Sequence, residues 1–268
     1  MDGTLGLGGH AERIARHGGR VVGIEWDDDA ATRAVERLGA GVTVVRDSYA
    51  NLPAILESLN VSVVDGILLD LGVSSLQLDT ALRGFSFRRD GPLDMRMSPR
   101  IRRTAAELLR GFGERELEQV LREYGEEPRA RKIAAAIVRA RGGPGSDILG
   151  STRALGEFVE CLLGRHGRAH PATRVFQALR IAVNGELENL KKFLEFFDKY
   201  LGIGGRCAVI SFHSLEDRLV KQAFKGKVGM RIVTKKPVRP EREEVLANPR
   251  SRSAKLRVIE KLPPGSGS

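Results

Sequence analysis

The sequence predicts a Rossmann-like α/β sheet that is interrupted by an inserted helical domain. Short β-branched or Leu/Ile-rich runs alternate with helical patterns through residue 80. From residue 81 to 172 the strand-like runs stop and helical patterns follow one another. The alternation returns near residue 186. We therefore assign residues 1–80 and 173–268 to an α/β domain and residues 81–172 to the insert.

The first part of the sheet is predicted from three apolar runs bounded by Gly, Asp and Asn, at residues 21–26, 42–46 and 64–71. Apolar residues at helical spacing separate them, at 10–17, 29–38 and 52–59. An order of strand, helix and strand predicts a parallel sheet.

The insert is predicted to hold helices at 105–109, 114–124, 129–141 and 153–163. After it, a helix at 186–200 is expected to end at Gly202 and the pair Gly204 and Gly205. A strand at 206–212 and a helix at 215–224 should follow. Two late β-type runs, 230–234 and 254–260, are joined by a Pro- and Arg-rich loop.

The composition excludes several classes of protein. With 268 residues, 41% apolar and 29% charged, the chain is long and apolar enough to bury a core. Cys161 and Cys207 are too few for a disulfide framework or a zinc site, so we expect no metal. No apolar run approaches the roughly 18 to 20 residues that span a bilayer. Without a leader-like start, we expect a cytoplasmic protein.

The distribution of charge along the chain indicates that different segments bind different kinds of ligand. Residues 1–80 carry 6 basic and 12 acidic side chains, whereas residues 199–268 carry 16 and 6, within a net charge of +10. This asymmetry suggests that an acidic part handles a small ligand while a basic part faces a polyanion such as nucleic acid. A merely solvated basic surface is the alternative.

A glycine-rich loop near the start predicts a nucleoside site. Gly6, Gly8 and Gly9 precede a helix, where a ligand approaches the backbone closely, and Glu25 ends the next strand, where it would accept both ribose hydroxyls. An acid at position 2, four residues before Gly6, is typical of S-adenosylmethionine (SAM) sites. A dinucleotide site and a purely structural turn remain open.

The strand at 64–71 ends in a second group of polar residues. Ligands of open α/β sheets bind beyond the carboxyl ends of the strands, which places Asp70, Ser74 and Gln77 near reacting atoms. Asp70 as a mere turn cap is the alternative. Tyr49, after the second predicted strand, is suited to packing on an adenine face or into the core.

Together these segments resemble the bacterial small-subunit ribosomal RNA cytosine-N4 methyltransferases of the MraW type. The matching segments are 2–10, 65–77, 83–97, 124–127, 170–180, 211–218 and 248–252. The resemblance implies a class I SAM-dependent methyltransferase fold with a helical insert. It also implies SAM as methyl donor and, as target, the N4 amine of a cytidine in the decoding region, in free RNA or the assembled small subunit. It leaves open whether the protein forms a homodimer.

The resemblance assigns cofactor contacts by position. They are Gly8, Gly9, His10, Glu25, Tyr49, Asp70 and Gln77. Glu25 stands where Asp is commoner and Tyr49 where Phe is common, and both replacements keep the chemistry. Family members usually carry a further N-terminal segment that includes the first strand, so we expect most of that strand to be missing.

Methyl transfer to an amine needs alignment and an acceptor for an N4 proton. The candidates are Asp70, Asp94 and His213, and a structural role is the alternative for His213. A base is methylated on its exocyclic amine only after it leaves the stack, which favours unpaired RNA or flipping.

Basic residues in two segments are predicted to contact RNA phosphates. They are Arg88, Arg89, Arg96, Arg250 and Arg252. Two rival functions stay open, an NAD-type oxidoreductase using the same glycine loop and a non-catalytic RNA-binding or ribosome-assembly protein.

Overall fold

A computed structural model describes residues 1–143, 147–165 and 170–265. The chain divides into two compact units, which we call the sheet unit, Met1–Gly72 with Leu187–Ser268, and the helical unit, Val73–Glu186. These bounds differ from the predicted insert, residues 81–172, at both ends. The helical unit extends beyond residue 172 because residues 172–183 supply buried side chains to its core.

The strands of the described residues all belong to the sheet unit. They are β1 Val21–Ile24, β2 Val42–Val45, β3 Val64–Asp70, β4 Leu201–Ser211, β5 Met230–Ile232 and β6 Lys255–Lys261. β1 pairs with β2 in parallel, and the other strands have the order β3-β4-β6-β5. β3 and β4 are parallel, whereas β6 is antiparallel to both β4 and β5.

The α-helices of the described residues follow in chain order. They are α1 Gly9–Arg16, α2 Asp28–Leu38, α3 Leu52–Ser58, α4 Ser75–Asp79, α5 Ala105–Gly111, α6 Glu114–Glu123, α7 Ala130–Ala140, α8 Thr152–Leu163, α9 Ala172–Asn184, α10 Glu186–Phe196, α11 Ser214–Gly226 and α12 Arg242–Ala247. α4 to α9 belong to the helical unit.

Asp2 joins the two parts of the sheet. It forms parallel bridges with Gly23 on one side and Leu68 on the other. Its amide donates to Val22 O at 2.9 Å, and its carbonyl accepts from Ile24 N at 2.8 Å. The backbone of one residue therefore stands between β1 and β3, at the position of the strand that we expected to find mostly missing, and fixes the start of the glycine loop there.

The start of β4 corrects one prediction. Gly202, Gly204 and Gly205 were expected to precede the strand, but β4 begins at Leu201 and contains all three. The pairing register with β3 shifts between Val64 and Gly66. This bulge accommodates the glycine run within the strand instead of a turn before it.

Three helices were not predicted from the sequence. α4 and α12 are only five and six residues long, so they hold too little periodicity to be seen. α9 is longer, but its buried residues lie on most sides, among them Val175, Phe176, Ala178 and Leu179. A helix that is buried this widely lacks the polar face on which the periodic pattern depends.

Each unit has its own core. In the sheet unit, strand residues such as Ile67, Leu69 and Val209 pack with Phe193 and Phe197. In the helical unit, the core is built from α5 to α9, with side chains of residues 85–97 added to it. Among the described residues, no helix is both long and apolar enough to cross a membrane.

Candidate functional site

The glycine loop leads into α1 through a left-handed turn. Gly8 is the N-cap of α1, with φ of 83°. A Cβ atom at Gly8 would lie 2.5 Å from Leu38 Cδ1, so both the backbone conformation and the packing require glycine. Gly9 begins the helix and has nothing within 4 Å of its Cβ position. The loop therefore presents open backbone at a helix N-terminus, a favourable place for a polar ligand group.

Glu25 connects this loop to the start of α2. Its Oε2 accepts a hydrogen bond from Gly6 N at 2.6 Å, and its Oε1 accepts one from Asp27 N at 2.8 Å. Burial raises the pKa of Glu25 to about 7, although both hydrogen bonds oppose this. A carboxylate has about four lone-pair sites, and those that the backbone amides leave open can accept hydroxyl groups.

Asp70, the last residue of β3, is held against the glycine loop. Its amide donates to Thr4 Oγ1 at 2.6 Å. Its Oδ2 lies 3.5 Å from His10 Nε2, and this hydrogen bond to Asp70 raises the pKa of His10. Asp70 Oδ1 is buried and has no hydrogen-bond partner among the described residues.

Asp2 supplies a second carboxylate to this region. Its side chain is fully buried, and Oδ1 accepts from Thr4 N at 3.2 Å. Oδ2 has no hydrogen-bond partner in the described chain. Burial raises the pKa of Asp2. Asp2 was predicted from the sequence only as a motif position. Thr4, whose contact with Asp70 spans 66 residues of sequence, was not predicted.

Asp2 Oδ2 and Asp70 Oδ1, which have no hydrogen-bond partner among the described residues, are compared with the groups that SAM carries. SAM carries an ammonium and a sulfonium, and buried carboxylate oxygens without donors are complementary to cationic groups. Its ribose brings two hydroxyl donors, which the Glu25 carboxylate is able to accept. The donor set of this chain therefore fits the cofactor.

Tyr49 and Gln77 have structural contacts. The Tyr49 ring packs edge-on against Phe193 of the sheet core, with centroids 5.8 Å apart. Gln77 lies in the helical unit and forms the capping box of α4, because its Oε1 accepts from Ser74 N at 3.0 Å. Their contacts with a cofactor stay predictions.

His213 and Glu216 cap α11 reciprocally. Glu216 N donates to His213 Nδ1 at 3.4 Å, and Glu216 Oε2 accepts from His213 N at 3.3 Å. His213 Nε2 lies 3.2 Å from Glu216 Oε1 but makes no hydrogen bond among the described residues. The ring is therefore a helix cap at the end of β4. The spacing of His213 and Glu216 is the sequence signal of a capping box.

Asp94 is engaged with Arg96 in the helical unit. Arg96 Nε donates to Asp94 Oδ1 at 2.7 Å, and a second guanidinium nitrogen donates to Oδ2 at 2.8 Å. Partial burial opposes ionisation, but these bonds keep the pKa of Asp94 below its ordinary value. Met95 lies between them and has a φ of 63°. The side-chain amide of Asn184 donates a hydrogen bond to the Met95 carbonyl. The role of Asn184 was not predicted from the sequence.

The predicted RNA-binding arginines lie on the two units. Arg88 and Arg89 are exposed on the helical unit, and Arg250 and Arg252 are exposed on the sheet unit. Arg89 donates to Asp79 O at 2.5 Å, so part of its charge is already engaged. Arg96 is committed to Asp94, as described above.

The predicted residues are thus divided between the two units. Gly8, Gly9, His10, Glu25 and Asp70 meet around the glycine loop of the sheet unit. Tyr49, His213, Arg250 and Arg252 belong to the same unit, whereas Gln77, Arg88, Arg89, Asp94 and Arg96 belong to the helical unit.

Known proteins are similar in sequence to this chain along most or all of its length. "Ribosomal RNA small subunit methyltransferase H" of Dehalococcoides mccartyi is 46% identical over 292 residues, which cover 100% of this chain and 82% of the relative. The protein of that name from Thermotoga neapolitana is 47% identical, covering 99% of this chain and 90% of the relative. The solved structure of an rRNA methylase from Streptococcus thermophilus is 11% identical with a TM-score of 0.45, covering 98% of this chain and 85% of that chain.

The sequence model of the MraW methylase family matches residues 1–262. This match confirms the predicted family, the class I methyltransferase fold and SAM as the cofactor. With almost its whole length matched, the chain belongs to the MraW methylase family.

Proposed function

We propose that this chain transfers the methyl group of SAM to the N4 amine of a cytidine in the decoding region of small-subunit ribosomal RNA. Relatives at 46% identity bear the name of a small-subunit ribosomal RNA methyltransferase, and the resemblance in sequence supplies the finer target. The observation that carries the proposal is the free oxygen of Asp70 beside the glycine loop. The reaction belongs in the cytoplasm, where ribosomal subunits are assembled.

The sheet unit would hold the cofactor through its own backbone and carboxylates. The glycine loop approaches the ligand at the start of α1, and Glu25 would accept the ribose hydroxyls. The Asp2 carboxylate would face a cationic group of the cofactor. When bound, SAM supplies a methyl group on a sulfonium, which is already an electrophile. The residues need only hold donor and acceptor in line.

Asp70 is the best placed of the three catalytic candidates. Asp94 has both oxygens on Arg96, and His213 has Nδ1 engaged as a helix cap. Asp70 Oδ1 is able to accept a hydrogen bond from the cytosine amine, which localises the nitrogen lone pair. The nitrogen would then bond to the methyl carbon that SAM supplies, and the carbon–sulfur bond would break in the same step. The added positive charge is lost as an N4 proton, which Asp70 accepts or passes to water.

The exposed arginines would hold the RNA by its phosphates. Arg88 in the helical unit and Arg252 in the sheet unit are the clearest candidates, and we propose that the helical unit helps to recognise the RNA. Replacing Arg252 by Ala should weaken RNA binding and reduce the slope of log affinity against log salt by about 1. Arg122→Ala is the matched control, since Arg122 is already paired with Glu118. An unchanged slope for Arg252→Ala would exclude that contact.

The test uses SAM labelled in its methyl group. The protein is incubated with small subunits that lack the modification, or with their free RNA, and the label in RNA is counted. We expect transfer by the wild type and a loss of at least about 100-fold for Asp70→Ala. Asp65→Asn is the matched control, because Asp65 is an exposed acid at the other end of β3. It should keep the wild-type rate.

Two outcomes favour the rival functions. Salt-dependent RNA binding without any transfer from SAM would indicate a non-catalytic RNA-binding protein. A thermal shift with NAD and none with SAM would indicate an oxidoreductase.

A further inference from the structure

Phe212 stands apart from the other phenylalanines. Of the ten in the chain, nine belong to the two large hydrophobic cores formed by the described residues, and Phe212 does not. It is nevertheless partly exposed, immediately after β4. Burial of a phenylalanine side chain normally contributes about 1.5–3 kcal/mol, so a ring left outside the core suggests a contact that the free protein does not make.

The position of Phe212 is next to the proposed reaction site. Asp70 pairs with Ile210 in the register of β3 and β4, and continuing this register places Phe212 opposite Gly72. A Cβ atom at Gly72 would lie 3.5 Å from Phe212 Cδ2, so the ring lies over the Gly72 backbone. Gly72 has φ of 95°, a conformation that strongly favours glycine. The ring therefore lies at the carboxyl ends of the two central strands, where open α/β sheets bind ligands.

The buried Glu216 fixes the backbone that carries this ring. Its Oε2 accepts hydrogen bonds from Phe212 N at 2.8 Å and from His213 N at 3.3 Å. Glu216 is only 2% exposed, so its carboxylate is shielded from water that would compete for these amides. The buried carboxylate thus restrains the backbone of Phe212 and His213.

We propose that Phe212 is the stacking surface for the target base, and that Glu216 is the residue that positions it. This inference rests on the proposed function, because the base is the cytosine that the enzyme methylates. A base outside the helical stack loses its neighbours, and an aromatic side chain replaces one of them. Stacking on Phe212 would hold the ring plane of the cytosine beside Asp70, so that the N4 amine faces both the carboxylate and the methyl carbon.

Phe212→Leu tests the stacking role. It keeps an apolar side chain and removes the flat face. We expect kcat/KM for small-subunit RNA to fall about 5- to 150-fold, the range for loss of one base–aromatic stack. The SAM dissociation constant, measured by calorimetry, should stay within about twofold, and Phe212→Trp should restore most of the rate. The matched control is Phe196→Leu, whose ring packs against Phe193 and Tyr200. It should lower Tm and leave kcat/KM unchanged.

Glu216 is tested by a pair of variants. Glu216→Ala should lower kcat/KM with the SAM dissociation constant unchanged, and Glu216→Gln, which retains one oxygen acceptor, should recover most of it. A Phe212→Leu enzyme as active as the wild type overturns the stacking role. A Phe212→Leu enzyme whose SAM affinity falls by the same factor as its kcat/KM also overturns it, because the ring then contributes to cofactor binding. A wild-type protein that methylates no RNA overturns the proposed function as well, so the two failures are distinguishable.

Discussion

His10 Nε2 lies 3.5 Å from Asp70 Oδ2, and this contact joins the first turn of α1 to the end of β3. The pair connects a residue that directly follows the glycine loop with the residue proposed to receive the N4 proton. The carboxylate favours the charged form of the imidazole, so the pKa of His10 lies above its ordinary value. The charge on the first turn of α1 therefore depends on the Asp70 carboxylate.

Asp70→Asn should lower the pKa of His10. The charged form of His10 loses its partner, so the NMR titration of this imidazole should move to lower pH. Because the pKa of His10 is raised in the folded protein, its contribution to folding stability depends on pH. The stabilising contribution of His10 is complete below its unfolded pKa and is lost as pH rises through the folded pKa. Glu12→Gln on the same helix is the control, and an identical His10 titration in Asp70→Asn would disprove the coupling.

The affinity for SAM should increase with pH through the titration of Glu25. Burial raises the pKa of Glu25 from 4.5 to about 7. The ionised carboxylate is the better acceptor for ribose hydroxyls, so the affinity should rise about tenfold from pH 6 to pH 8. The same raised pKa means that Glu25 favours folding most below its ordinary pKa and loses this contribution as pH rises through 7.

Glu25→Gln separates this effect from other titrations. Calorimetry across the same pH range should give weaker binding whose pH dependence is nearly flat. If the variant retains the full tenfold increase, another group is responsible.

Gly8→Ala should destabilise the protein and weaken SAM binding. The added Cβ atom meets Leu38 Cδ1 at 2.5 Å, and φ at this position is 83°. The substitution should cost about 1–3 kcal/mol of unfolding free energy, measured by denaturant titration. Gly9→Ala is the matched control for stability, because its Cβ position is open and alanine favours a helix. Equal stability of the two variants would contradict the packing described for Gly8.

Asn184→Ala should destabilise the helical unit. The Asn184 side chain accepts from Met97 N at 2.7 Å and donates to Met95 O at 2.8 Å, and so supports the positive φ of Met95. Removing it leaves buried backbone groups without partners, at a cost of about 1–3 kcal/mol. Thermal unfolding measures the loss. Asn51→Ala, at an exposed position, should change stability by less than about 0.5 kcal/mol. A loss no larger than that of Asn51→Ala would show that the turn is held by other contacts.

The sequence predicted local features well because their signals are local. The runs that became β1, β2 and β3 lie between glycines and acids, and the glycine loop stands directly before α1. Glu25 is also recognised from its neighbours, because it directly follows the apolar run of β1. These features need only neighbouring residues to be recognised.

Features that depend on distant contacts were not predictable in this way. Thr4 supports Asp70 across 66 residues, and Asn184 supports Met95 across 89. The position of Phe212 outside the two large cores of the described residues likewise depends on the tertiary structure. Gln77 was predicted to contact the cofactor from its position after β3 and from the resemblance, and His213 was named as a catalytic candidate with a structural alternative. Folding engages both as helix caps. Such contacts emerge only from the tertiary structure.

Mass spectrometry of the modified nucleoside tests the central claim most directly. Small subunits lacking the modification are incubated with the protein and SAM, their RNA is digested to nucleosides, and the methylated cytidines are separated. We expect N4-methylcytidine from the wild type and none from Asp70→Ala. Methylation at carbon 5 of cytosine, at a ribose or on another base would contradict the account, as would N4-methylcytidine formed equally well by Asp70→Ala.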